Sequence, residues 1–160
     1  MKISLLADHP ETIPALAKWF YAEWSYLVPG RSEQDVAASI AERATRRGIP
    51  IALVAFEGDE LIGSVCLKLS DMDTRPELTP WLAGLYVKES WRNRGVGSAL
   101  VKAIEKQALE QGVKQLFLYT PESERFYAAL GWQVLERTDY HDVPVTIMEK
   151  PLSPAVDTES

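Results

Sequence analysis

Of the 160 residues only one is a cysteine, Cys66, so no disulfide within the chain can form. A cysteine-rich zinc site is excluded as well, and histidine is nearly as scarce, with only His9 and His141 to offer imidazoles. No apolar run approaches the 18 residues of a membrane-spanning helix, so no membrane partner is expected. Basic residues are in deficit, 17 against 23 acids, for a net charge of -6. A broad nucleic-acid or membrane surface needs the opposite balance. The opening Met1-Lys2-Ile3-Ser4-Leu5-Leu6 runs into Asp8, His9 and Glu11 and lacks the apolar stretch of a secretory leader, so a cytoplasmic protein is expected. What remains is 46% hydrophobic and 25% charged, an ordinary mixture for one globular domain. We place that domain at residues 1–150 and read 151–160, rich in proline and polar residues, as a disordered tail.

Local patterns order the elements. Residues 2–7 read as a strand, and Asp8 as the cap of a helix with Pro10 in its first turn, ending near Trp24. Ser32 and Asp35 have the spacing of a capping box, and Val36, Ile40 and Ala44 stripe the helix they would open, with Gly48 as its stop. The apolar runs 51–56 and 61–69 flank a hairpin turn. A polar loop, 70–80, leads to a strand at 81–87. A helix after residue 97 carries Leu100, Ala103, Ile104 and Ala108 at helical spacing. Residues 116–119 form a strand. Thr120 and Pro121 would open a short helix that closes at Gly131, and 132–137 and 143–149 are the last strands. The order β-α-α-β-β-β-α-β-α-β-β implies a mixed, largely antiparallel sheet of six or seven strands with helices on both faces.

The most informative stretch joins the 81–87 strand to the long helix. A helix N-terminus presents free N–H groups and the positive end of its dipole, and Gly95 and Gly97 allow a ligand close to the backbone. With Arg92 and Arg94 beside them, these features make an anion site suited to phosphate. A dinucleotide fingerprint fits poorly, since Leu100 stands where a third glycine belongs, and no glycine–lysine–Ser/Thr triplet marks a P-loop. Farther on, Phe126-Tyr127-Ala128-Ala129-Leu130-Gly131-Trp132 sets a tyrosine in a short helix that ends in glycine and an aromatic.

The two stretches together resemble the GNAT superfamily of N-acetyltransferases. Arg92-x-x-Gly95-x-Gly97 is similar to its Gln/Arg-x-x-Gly-x-Gly/Ala cofactor motif, and Leu85-Tyr86-Val87 to the strand before it. The stretch from Phe126 to Trp132 is similar to its second signature. The element order agrees over residues 2–150. The resemblance implies four helices around the sheet and a pair of parallel strands, 81–87 and 116–119, splayed to admit acetyl-CoA. Backbone of Asn93, Arg94, Gly95, Val96, Gly97 and Ser98, with Arg92, would hold the pyrophosphate. Leu85, Tyr86 and Val87 would pair with the pantetheine arm as an added strand. Tyr127 would protonate the departing thiolate.

Two positions depart from the family pattern. Thr120 stands where members often place asparagine. The 81–87 strand carries no acid, whereas some members use a glutamate there as general base. A base reached through water is left to Glu23, Asp71, Asp73 or Glu77. The implied reaction is direct attack by a primary amine of a small molecule or peptide in a ternary complex. Neutralising a lysine-type amine at pH 7 costs about 4.6 kcal/mol, an α-amine only about 1 kcal/mol, so the need for a base depends on the acceptor. Trp24, Tyr26, Trp81 and Tyr140 are candidate walls for that acceptor. Arg43, Arg46 and Arg47 read as a solvated helix end, Cys66 as a buried thiol and His141 as a turn residue. A non-catalytic acyl-CoA-binding module is the alternative reading, and a homodimer is left open.

Overall fold

The structure is a computed structural model, and it describes residues 1–153. Seven strands form one sheet: β1 (Lys2–Leu5), β2 (Ile51–Glu57), β3 (Glu60–Lys68), β4 (Trp81–Val87), β5 (Gln115–Thr120), β6 (Gln133–Tyr140) and β7 (Val143–Pro151). Their order across the sheet is β1-β2-β3-β4-β5-β7-β6. Every neighbouring pair is antiparallel except β4 and β5. Four helices accompany it: α1 (Ile13–Trp24), α2 (Glu33–Ala41), α3 (Val96–Glu110) and α4 (Glu124–Ala129).

Both faces of the central strands are covered, which is why they read as continuous apolar runs. Along β2, Ile51, Leu53 and Ala55 join a core with Leu100 and Ile104 of α3, together with Tyr127 and Trp132. The alternate residues Ala52 and Val54 join a second core with Leu16 and Phe20 of α1 and Ile40 of α2. Helix α3 lies close on β3 because Gly63 has no side chain. A Cβ there would stand 2.8 Å from the Tyr86 carbonyl oxygen and 2.9 Å from Leu100.

Local signals place several elements well. Ser32 accepts the Asp35 N–H at 3.0 Å while Asp35 accepts the Ser32 N–H at 2.9 Å, so the capping box closes in both directions. The hydrogen bonds of Asp35 hold its carboxyl below the usual carboxylate range.

Elsewhere the boundaries shift. Asp8 caps no helix. Residues 6–8 and 10–12 form two 3-10 turns, α1 starts at Ile13, and the Asp8 carboxylate pairs with Arg46 at 2.7 Å. Helix α2 stops at Ala41 rather than Gly48, because the Arg43 carbonyl accepts the Ala52 N–H of β2 and the backbone turns toward the sheet. Thr120 ends β5, and its hydroxyl accepts the Glu122 and Ser123 N–H groups, so the turn it organises delays α4 until Glu124. Strand β6 runs three residues past 137, and a two-residue turn of His141 and Asp142, at φ 50° and 65°, returns the chain into β7. Pro151 pairs with Gln115 in the sheet and so belongs to β7, and the rest of the expected tail from residue 154 lies outside the described residues. Among the described residues no helix is long and apolar enough to cross a membrane.

Candidate active site

Strands β4 and β5 pair at one position, Trp81 with Phe117, where the Phe117 N–H also reaches the Pro80 carbonyl at 3.1 Å. Beyond that point they part. Strand β4 also carries a bulge against β3: Ser64 faces Tyr86 but Cys66 faces Ala83, so β4 spends one residue more than β3. Gly84 takes the special backbone conformation, at φ 61°, and its carbonyl accepts the Ser64 hydroxyl at 3.1 Å. The parted strands open onto a cavity of about 460 Å³. Leu82–Leu85 and Leu118–Thr120 contribute to its walls, and the segment from Phe20 to Val28 supplies another.

Helix α4 delivers Tyr127 to this cavity. The ring meets Phe126 and Trp132 edge to face at 5.0 and 6.2 Å, and the residue is 8% exposed. Among the described residues its hydroxyl has no hydrogen-bond partner. Burial pushes its pKa well above the ordinary tyrosine value, so the group stays protonated at neutral pH. It can therefore donate a proton or a hydrogen bond to charge that develops beside it.

The other end of β4 leads into the α3 N-terminus. Asn93 and Gly95 both have positive φ, 63° and 85°. Ala99 donates the first α3 bond, to the Gly95 carbonyl, and the N–H groups of Asn93–Ser98 have no backbone acceptor among the described residues. Consecutive free N–H groups at the positive end of a 15-residue helix form an anion cradle, and a pyrophosphate fits that donor set. The flanking arginines are partly engaged. Arg92 donates Nε–H to the Val87 carbonyl at 2.8 Å and lies over the Tyr86 ring, while Arg94 lies over Trp91. Gly97 serves packing: a Cβ there would stand 3.2 Å from the Phe126 ring.

Among the acids, Glu23, Asp71 and Asp73 line the cavity. Asp71 pairs with Lys68 at 3.0 Å, and Glu23 lies 3.8 Å from Arg92. Glu77 is exposed and lines no part of the cavity. Trp24, Tyr26 and Tyr140 are on its wall, Tyr26 being 50% exposed. Trp81 does not reach it. That side chain is 0% exposed, donates its indole N–H to the Leu78 carbonyl at 2.7 Å, and packs against Phe117 and Tyr119. Trp81 is not a wall because the 70–80 loop and β7 cover that end of β4 with Met72 and Ile147.

Tyr119 and Arg43 are among the lining residues that the expectations missed. Tyr119 faces the cavity from β5. Arg43, expected in solvent, is 9% exposed and lines the cavity instead. No local signal marked it, since Arg43 lies past the end of α2 where its carbonyl pairs with Ala52 of β2. Cys66 is buried as expected, and burial raises its thiol pKa. Thr120 is buried at the cavity wall with its hydroxyl committed to the β5–α4 turn. Among the described residues no group of three or more His, Cys, Asp or Glu side chains could hold a metal.

A family model described as acetyltransferase (GNAT) family matches residues 13–132. No curated protein matches the chain by sequence. Among solved structures, an aminoglycoside 6′-N-acetyltransferase complexed with coenzyme A is similar with TM-score 0.77 at 20% identity, over 98% of this chain and 100% of that one. The aminoglycoside 6′-N-acetyltransferase of Enterococcus faecium is similar with TM-score 0.74 at 20% identity, over 98% and 100%. A Salmonella typhimurium protein solved with acetyl-CoA is similar with TM-score 0.72 at 14% identity, over 100% and 98%. At these identities the likeness shows the shared fold.

Proposed function

The chain belongs to the GNAT acetyltransferase family, and from that premise we propose that it is an N-acetyltransferase acting on a primary amine of a small molecule or peptide. When bound, acetyl-CoA supplies an activated acetyl thioester. Backbone amides of Asn93–Ser98 hold its pyrophosphate. Strand β4 offers Leu85–Val87 to the pantetheine arm, and Arg92, bound to the Val87 carbonyl, fixes the end of that strand. Tyr127 donates from its hydroxyl to the sulfur as the amine attacks directly in a ternary complex. Glu23 and Asp73, on the cavity wall, are the acids left to take the amine proton through water. Glu77 drops out because it lines no part of the cavity, and Asp71 because Lys68 holds it. A small-molecule acceptor is supported by the 460 Å³ cavity and by the aminoglycosides named for two proteins of the same fold.

The observation that carries this reading is the buried Tyr127 side chain lining the gap between strands that part after one paired position. The test is thiol release from acetyl-CoA over a panel of amines, with products identified by mass spectrometry. The panel holds peptide N-termini, lysine side chains, amino acids, polyamines and aminoglycosides. An acetylated amine is expected. Acetyl-CoA binding without acetylation of any amine would overturn the reading.

A further inference from the structure

The cavity wall holds a buried guanidinium that no carboxylate pairs among the described residues. Arg43 is 9% exposed, and its guanidinium lies at the β4 bulge, where a Cβ on Gly84 would stand 3.3 Å from Nη1 and 3.4 Å from the Cys66 sulfur. Among the described residues it makes no ion pair and no hydrogen bond to oxygen. Its polar neighbour is the Cys66 thiol, a weak partner. The other charged groups on the wall are engaged or exposed. Lys68 and Asp71 neutralise each other at 3.0 Å. Arg31 donates to the Asp35 carbonyl and the Ser39 hydroxyl of α2. Glu23 lies near Arg92, and Asp73 and Glu122 are exposed.

A buried arginine with five donors and no acceptor is costly, and folded proteins pair such groups or bind through them. The fork of its N–H groups matches a carboxylate in two-point contact. Gly84 is the residue that leaves room for the fork over the strand, because any side chain there would crowd Nη1.

Resting on the acetyl-transfer reading of this cavity, we propose that the acceptor amine also carries a carboxylate, which Arg43 binds, so that the substrate class is an amino acid or short peptide rather than a polycation. Arg43 is thereby a specificity-determining residue and takes no part in proton transfer.

The test uses the full chain saturated with CoA. Calorimetry compares free amino acids and dipeptides with their C-terminal amides, with spermidine as a polycation. The same pairs are assayed for turnover with acetyl-CoA. We expect some carboxylate to bind about 10- to 100-fold more tightly than its amide. Arg43→Gln should abolish that preference by raising KM with little change in kcat, and Arg43→Lys should restore part of it. Acetyl-CoA affinity serves as the check that both variants fold. Equal binding of acid and amide, preference for spermidine, no binding of any carboxylate, or an unchanged preference in a folded Arg43→Gln would each overturn the proposal. Turnover without carboxylate preference removes this inference and leaves acetyl transfer standing. Carboxylate preference lost in Arg43→Gln, without turnover of any amine, supports Arg43 and overturns acetyl transfer.

Discussion

Replacing Tyr127 with phenylalanine removes one hydroxyl from the cavity wall and little else. The ring keeps its edge-to-face contacts with Phe126 and Trp132, and among the described residues no partner loses a hydrogen bond. Stability should therefore hold or rise slightly, since a buried unpaired hydroxyl is lost. The effect on rate follows from acidities. An ordinary tyrosine near pKa 10 is already a weaker acid than a thiol near 8.5, so complete proton transfer to the sulfur is uphill by about 2 kcal/mol. Burial raises the tyrosine further and widens that gap. The hydroxyl then works chiefly as a fixed hydrogen-bond donor to developing charge, and deletion of one such donor costs about 10²–10³ in kcat. We expect kcat to fall by at least about tenfold and toward that range, with acetyl-CoA affinity within about twofold of the parent. Single-turnover thiol release measures the first, and calorimetric titration the second. The raised pKa adds a condition: no loss of activity attributable to Tyr127 should occur as pH rises to about 10. A Tyr127→Phe enzyme with parental kcat would refute the assignment, and so would a basic limb below pH 9 that disappears in the variant.

The other predictions probe the cradle, the core and the charges. Gly95 at φ 85° strains any β-branched residue, so Gly95→Val should weaken acetyl-CoA binding and cost about 1–2 kcal/mol in urea unfolding, while Gly95→Asn should cost less. Gly63→Ala should destabilise by about 1–3 kcal/mol, because its Cβ would force α3 away from β3, and a parental unfolding midpoint would contradict that packing. Trp81→Phe should lower stability by about 1–3 kcal/mol yet leave the acceptor KM within about twofold, and a large KM change would return Trp81 to the acceptor wall. Arg75, hydrogen-bonded to Glu136, holds that carboxyl below its ordinary value. The pair's stabilisation is therefore present above the unfolded carboxylate pKa and lost as pH falls through the folded one, so Glu136→Gln should flatten the decline in unfolding midpoint at acid pH.

Short-range patterns determined much of this molecule. The capping box of Ser32 and Asp35 and the hairpin at residues 57–60 depend on hydrogen bonds within a few residues, and each occurs where its spacing places it. Strand β4 has the expected bounds because its apolar run is flanked by proline and by charged, turn-forming residues. The turn at Arg92–Gly95 before α3 and the helical setting of Tyr127 were legible for the same reason, since motif and element coincide. Tertiary structure decided what local spacing does not contain. Trp81 became core because a distant loop and β7 arrived over it, and Arg43 turned inward because α2 ends early to give its carbonyl to β2. The bulge of β4 against β3 and the single pairing of β4 with β5 are registers between strands, and a register exists only once both strands are paired. Whether a side chain meets solvent, core or cavity is set by the segments that pack across it, and those come from elsewhere in the chain.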